Sequence, residues 1–199
     1  MLILAFDTAT SVATTALVRE GELLGERASK PLRVLEDAQA LAAEAGVEPE
    51  AIEGIAVGTG PGSYTGLRIG LVTARALSLS LAAPVAGVPT LRTLAAGAPG
   101  ALPVIDGRRG EVFALEDGAP IVVKPEELAV EAGATYVGDG AVLHRASFES
   151  RDAVVPPDDD PRHTPWARHI AALARDFGPA DAAEPIYLRV PDAEKALRP

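Results

Sequence analysis

The stretch Gly58-Thr59-Gly60-Pro61-Gly62-Ser63-Tyr64-Thr65-Gly66 has the composition of a ligand loop. Glycines between a strand and a helix point backbone N–H groups outward, and an anion is stabilised at such a helix start. No Lys follows the glycines, so it is not a nucleoside-triphosphate P-loop. Pro61 and Thr65 stand where a nucleophile elbow around Ser63 needs glycines. The same residues also suit a tight turn with Ser63 as helix cap. Other chemistry is sparse. The histidines are His144, His163 and His169, with no pair at the spacing that puts two imidazoles on one helical face. With no cysteine, thiolate nucleophiles and Cys-ligated metals are excluded. Asp158-Asp159-Asp160 carries ligands for a hard cation, but Pro156-Pro157 and Pro161 beside it mark a solvated loop. The expectation is no catalytic residue, no metal and no cofactor.

The chain has 199 residues, 48% of them hydrophobic and only 4% aromatic. That is an aliphatic core of the kind found in sheets covered by helices. The formal net charge is −10, and Lys30, Lys124 and Lys195 are the only lysines. Gripping a phosphate backbone needs concentrated cations, so direct nucleic-acid binding is not expected. The start of the chain has neither a basic segment nor a long apolar one. With the absence of cysteine, this gives a cytoplasmic expectation.

The elements follow from punctuation and periodicity. Met1–Asp7 is a buried strand, and Ala13–Arg19 and Glu22–Arg27 flank a Glu20-Gly21 turn as a hairpin. Pro31–Ala45 has apolar residues at helical spacing and stops at Gly46. Ile55–Gly58 is a strand, Ser63 to about Ala82 a helix, Val85–Val88 a strand and Thr90–Ala96 a helix. Gly97-Ala98-Pro99-Gly100 marks a boundary. Strands at Leu102–Asp106, Val112–Glu116 and Ile121–Lys124 follow, then a short helix at Glu126–Glu131, a strand at Thr135–Val137 and a helix at Pro165–Phe177. Two successive βββαβα units predict an α/β protein of the actin-like (ASKHA) class with two lobes. Residues 1–100 form the first, and residues 101–199 a smaller second whose last helix packs back on the first. Phosphate-cradling turns in that class read Asp-x-Gly. Asp7-Thr8-Ala9 lacks the glycine and Asp106-Gly107-Arg108 is out of pattern, while Gly138-Asp139-Gly140 is placed near a base. Asp7, Thr8, Gly60, Gly62, Ser63, Asp106, Gly138 and Gly140 therefore make a candidate weak nucleotide or anion site.

The helix after the glycine loop is apolar nearly all round, and its only charges are Arg68 and Arg75. A helix on one face of a sheet should have a broad polar face. Two arginines in so short a stretch argue against a membrane span, leaving internal burial or cover by another protein. Gly66, Gly70 and Ala74 form a ridge that would let another helix approach. The interface reading takes in Leu32, Leu35 and Leu41 on the first long helix and Arg68, Leu71, Val72, Arg75 and Leu79 on the second.

Gly60-Pro61-Gly62-Ser63-Tyr64-Thr65-Gly66-Leu67-Arg68-Ile69-Gly70 resembles the hallmark of the TsaB (YeaZ) family. Ile3-Leu4-Ala5-Phe6-Asp7-Thr8-Ala9-Thr10 resembles that family's start. Ile105-Asp106-Gly107-Arg108-Arg109-Gly110-Glu111-Val112-Phe113 resembles the opening of its second lobe, and Glu184-Pro185-Ile186-Tyr187-Leu188-Arg189 its closing segment. The resemblance implies an actin-like, non-catalytic subunit of the bacterial machinery that places threonylcarbamoyl on the tRNA adenosine beside the anticodon. It implies pairing with the related transferase subunit TsaD, a further complex with the ATPase TsaE, self-pairing when alone, and only indirect contact with tRNA. An actin-like kinase or ATPase and a glycoprotease-like peptidase are the competing readings. The chain departs from the family at Ser29-Lys30-Pro31-Leu32, where a histidine often precedes the first long helix.

Overall fold

Strands buried on both faces read as nearly continuous apolar runs, while strands at a sheet edge carry charge. In the computed structural model, which describes residues 1–189, both kinds lie in one five-stranded sheet. Residues 190–199 of the expected second lobe lie outside the described residues. β1 (Leu2–Asp7) pairs in parallel with β4 (Gly54–Gly58), with Ile3 opposite Gly54 and Phe6 opposite Val57. β2 (Ala13–Arg19) runs antiparallel to β1, and β3 (Glu22–Ser29) antiparallel to β2. β5 (Val85–Val88) adds in parallel beside β4, giving the order β3-β2-β1-β4-β5. β3, with Glu22, Glu26 and Arg27, is one edge.

The two faces of this sheet differ in side-chain size. Leu2, Leu4, Phe6, Leu17, Ile55 and Val57 form a core with Val34, Leu41, Leu71 and Ala74 from α1 (Val34–Glu44) and α2 (Tyr64–Leu81). Ala5, Ala16, Ala56 and Ala86 face the other way, where Ile170 and Ala171 of α6 (Ala167–Leu173) cover them. The alternation is the two-residue period of a strand. An alanine-lined face lets α6 lie close to the backbone. α3 (Thr90–Gly97) packs beside α6.

The second half departs from its predicted elements in three places. Leu102–Asp106 is not one strand. β6 (Leu102–Pro103) pairs in parallel with β10 (Tyr136–Val137), while β7 (Ile105–Arg108) joins β8 (Glu111–Glu116) and β9 (Ala119–Val123) in a three-stranded antiparallel sheet. Pro103 has no N–H to carry a ladder through. The helix expected at Glu126–Glu131 is a set of turns. The like charges of Glu127 and Glu131, four residues apart, disfavour a helix there, and the Arg151 guanidinium instead takes the carbonyls of Pro125 and Leu128. Two short helices were not foreseen, α4 (Asp139–Leu143) and α5 (Arg145–Glu149). Gly138 and Gly140 are packing positions. A Cβ on Gly138 would overlap the Val104 carbonyl, and one on Gly140 would lie 2.6 Å from the Ile105 carbonyl carbon. Neither glycine is free to line a base pocket. Among the described residues, no helix is long and apolar enough to cross a membrane.

Candidate functional site

Ser63 caps α2 by accepting the Gly66 N–H at 3.3 Å. The glycine ridge behind it faces inward, which corrects the expectation that it receives another helix. Thr8 Oγ1 donates to the Gly66 carbonyl at 2.7 Å, and a Cβ on Gly66 would overlap the Thr8 carbonyl oxygen. A Cβ on Gly70 would overlap Thr8 Oγ1. Gly66 and Gly70 thus seat α2 on the turn that follows β1.

With that face fixed, the outward one is decided. Arg68, Val72, Arg75 and Leu79 are exposed, at steps of four, three and four residues, one stripe of the helix. Val72 is 64% and Leu79 79% exposed. The 3-10 turn Pro31–Arg33 packs against α2 and adds Leu32, 80% exposed, with Leu35 beyond it at the start of α1. Leu41 and Leu71, expected in this interface, are only 3% and 5% exposed and belong to the core under the helices. Single Leu, Val and Ile residues exposed on a surface are ordinary, but a contiguous strip is not.

The anion site read from the sequence is not assembled. Gly60 N–H donates to Thr90 Oγ1 at 3.1 Å, and Ser63 N–H to the Ala9 carbonyl at 2.7 Å, so these two loop amides are spent inside the protein. A Cβ on Gly62 would overlap the Ala9 carbonyl, and Gly60 holds φ at +90°, where a side chain is strained. Asp7 and Thr8 are fully buried. The Asp7 carboxylate accepts the Ala9 N–H at 2.6 Å and the Thr90 hydroxyl at 2.7 Å, satisfying a turn rather than a ligand.

Burial pushes Asp7 from 3.8 up to about 6, against the opposing pull of these two hydrogen bonds. An acid raised in this way binds its proton more tightly when folded. The penalty on folding is full above pH 6 and is relieved as the pH falls from 6 toward 3.8. It amounts to about 3 kcal/mol at 1.36 kcal/mol per pK unit. Asp7→Asn keeps the turn acceptor and removes the charge. It should stabilise the protein by up to about 3 kcal/mol at pH 7.5 and flatten stability between pH 7 and 4. Chemical denaturation at several pH values measures this, and parallel wild-type and variant profiles would contradict it.

Of the eight residues proposed for the anion site, only Asp106 lines the cleft between the two halves. This cleft, about 380 Å³, lies between the β1–β2 turn (Thr10–Val12), β7, α4 and the segment before α6. Its charged lining is Asp106, Arg108, Asp139 and Asp158. Arg108 pairs with Asp106 at 3.1 Å, and Asp158 bonds to Arg145 at 2.5 Å. Burial raises Asp139, although its carboxylate accepts the Asp106 N–H at 2.9 Å. With two of its three carboxylates paired and its one arginine taken by Asp106, the lining offers a polyphosphate no unpaired cation. Hydrogen bonds from Arg162, two residues on, hold Asp160 down at about 2. Among the described residues, no group of three or more His, Asp or Glu could hold a metal ion.

The sequence reading missed one feature of the exposed face. Tyr187 stacks on Tyr64 at the start of α2, with ring centroids 5.2 Å apart, and the Arg68 guanidinium lies 4.1 Å from the Tyr64 ring centre. Ile186 N–H donates to the Thr59 carbonyl at 2.8 Å, and Arg189 donates to the Gly107 carbonyl at 2.6 Å. The segment 186–189 therefore runs from the glycine loop to the β7–β8 hairpin. The motif Glu184–Arg189 was visible in the sequence, but nothing in it indicates which ring Tyr187 would meet.

Comparison with known proteins gives the following. Residues 31–151 match the family model described as TsaD: tRNA N6-adenosine threonylcarbamoyltransferase. The tRNA threonylcarbamoyladenosine biosynthesis protein TsaB of Bacillus subtilis is 29% identical over 98% of this chain and 96% of its own length. The Escherichia coli protein of the same name is 40% identical over 123 residues, 57% of this chain and 53% of its own length. The solved structure of YeaZ from Pseudomonas aeruginosa superposes with a TM-score of 0.74 at 28% identity, covering 94% of this chain and 99% of that one.

Proposed function

The chain belongs to the TsaB (YeaZ) family and has its actin-like fold, and we propose that it is a non-catalytic subunit of the machinery that makes threonylcarbamoyladenosine in tRNA. Its work is association. The observation that carries this reading is the exposed strip Val72 and Leu79, interleaved with Arg68 and Arg75 on α2, with Leu32 and Leu35 beside it. An aliphatic centre with a polar edge is the usual anatomy of a protein interface. The partner is the transferase-type subunit TsaD, with the ATPase TsaE joining the pair. In the absence of a partner, the same face supports self-pairing, so the two associations compete. Contact with tRNA comes through the partner.

The kinase and peptidase readings gain no support from the geometry. The Asp7 carboxylate is buried against Thr90, and the Gly60 and Ser63 amides of the loop are internally bonded. Depleting this protein should lower threonylcarbamoyladenosine in total tRNA several-fold, measured by nucleoside mass spectrometry. An unchanged level after complete depletion, in a cell with no second copy, would contradict the proposal.

A further inference from the structure

We propose that the outward stripe of α2 selects a partner helix that carries carboxylates between its aliphatic residues, and disfavours α2 of a second copy of this chain. This rests on the partner-binding reading above and adds the chemistry of the partner. The sequence of α2, Tyr64–Leu81, contains no acidic residue, although the whole chain carries a net charge of −10. Its exposed charges are Arg68 and Arg75, alternating with Val72 and Leu79 at coiled-coil spacing. Lys30 lies beside Leu32 on the turn that packs against α2, while Arg33 there is paired with Glu36 at 2.9 Å.

Two copies of α2 packed antiparallel about Arg75 would bring the Arg75 guanidinium of each against that of the other. Like charges facing across an interface suppress the wrong pairing. A counter-helix with Asp or Glu at that position turns the same contacts attractive while Val72 and Leu79 stay buried. Self-pairing through this face is thereby held weaker than pairing with the partner, which lets the partner displace a second copy. An RNA strand would also meet arginines, but Leu32, Val72 and Leu79 between them favour a protein surface.

The test is the affinity for the TsaD-type subunit of the same source, at low and high salt, for the wild type, Arg75→Glu, Arg75→Met and Val72→Asp, with circular dichroism as the folding control. Arg75→Glu should weaken binding about tenfold or more, with a smaller deficit at high salt. Arg75→Met, which keeps the apolar stem, should lose less. The acidic-partner inference is overturned if Arg75→Glu binds as the wild type does while Val72→Asp fails. If neither change matters, the face itself is wrong and the reading beneath it falls. Loss only of self-association, or only of tRNA retention by the isolated chain, would assign the arginines to a second copy or to RNA and would equally overturn the inference.

Discussion

Val72→Asp and Leu79→Asp should each give a folded protein that neither self-associates nor binds its partner. Both side chains stand clear of the core, at 64% and 79% exposed, so a carboxylate there stays solvated in the free chain. On association, the same carboxylate would be taken from water into an aliphatic contact, with only the neighbouring arginine of its own stripe beside it. That costs about 1–3 kcal/mol, or one to two orders of magnitude in affinity. Leu71→Asp is not an equivalent test. Leu71 is 5% exposed and packs in the core with Phe6 and Val57, so the change would unfold the protein before it reported on any partner. Analytical ultracentrifugation and a binding assay check the two outward variants. Normal dimerisation and normal binding by both would remove α2 from the interface.

The opposite face of the same helix carries the second large effect. Gly66→Ala should destabilise the fold by about 3 kcal/mol or more, far beyond an ordinary glycine-to-alanine change in a helix, which is favourable by about 1 kcal/mol. The added methyl group would overlap the Thr8 carbonyl oxygen, which is backbone and cannot rotate away. Relief requires α2 to lift off the β1–β2 turn, which breaks the Thr8 hydroxyl bond to the Gly66 carbonyl. Thermal and denaturant unfolding measure the loss. A stability equal to the wild type would mean that α2 is not seated on Thr8 through Gly66. The two faces therefore separate in experiment, one deciding folding and the other association.

This separation shows where the sequence was legible. The first half follows simple punctuation. The Glu20-Gly21 turn, the Ser63 cap and the strand Val85–Val88 stand where composition put them, because each depends on neighbours in the chain. The orientation of α2 was not legible, since its residues are apolar nearly all round and periodicity cannot rank two apolar faces. Leu71 and Leu79 differ only in which one meets Phe6 and Val57 across the sheet. The small residues Gly66 and Gly70 have the pattern of a helix-packing ridge, and the group that occupies it, Thr8, lies far away in sequence. The second half was harder because its elements are short. Pro103 diverts one apolar run into two sheets, and the α4 and α5 helices are too brief to show a period. The anion site failed for the same long-range reason. Thr90, which takes up both Asp7 and Gly60, carries no sign of that role in its own segment.

The most direct measurement is the level of threonylcarbamoyladenosine in tRNA from cells whose only copy of this protein carries chosen changes. Val72→Asp/Leu79→Asp should lower the modification as far as depletion does, because association is lost. Asp106→Asn/Asp139→Asn, which removes cleft carboxylates, should leave it near the wild-type level. Full modification in the first strain together with loss in the second, both proteins being folded and present at wild-type abundance, would contradict a subunit that acts through its α1–α2 face and would move the function into the cleft.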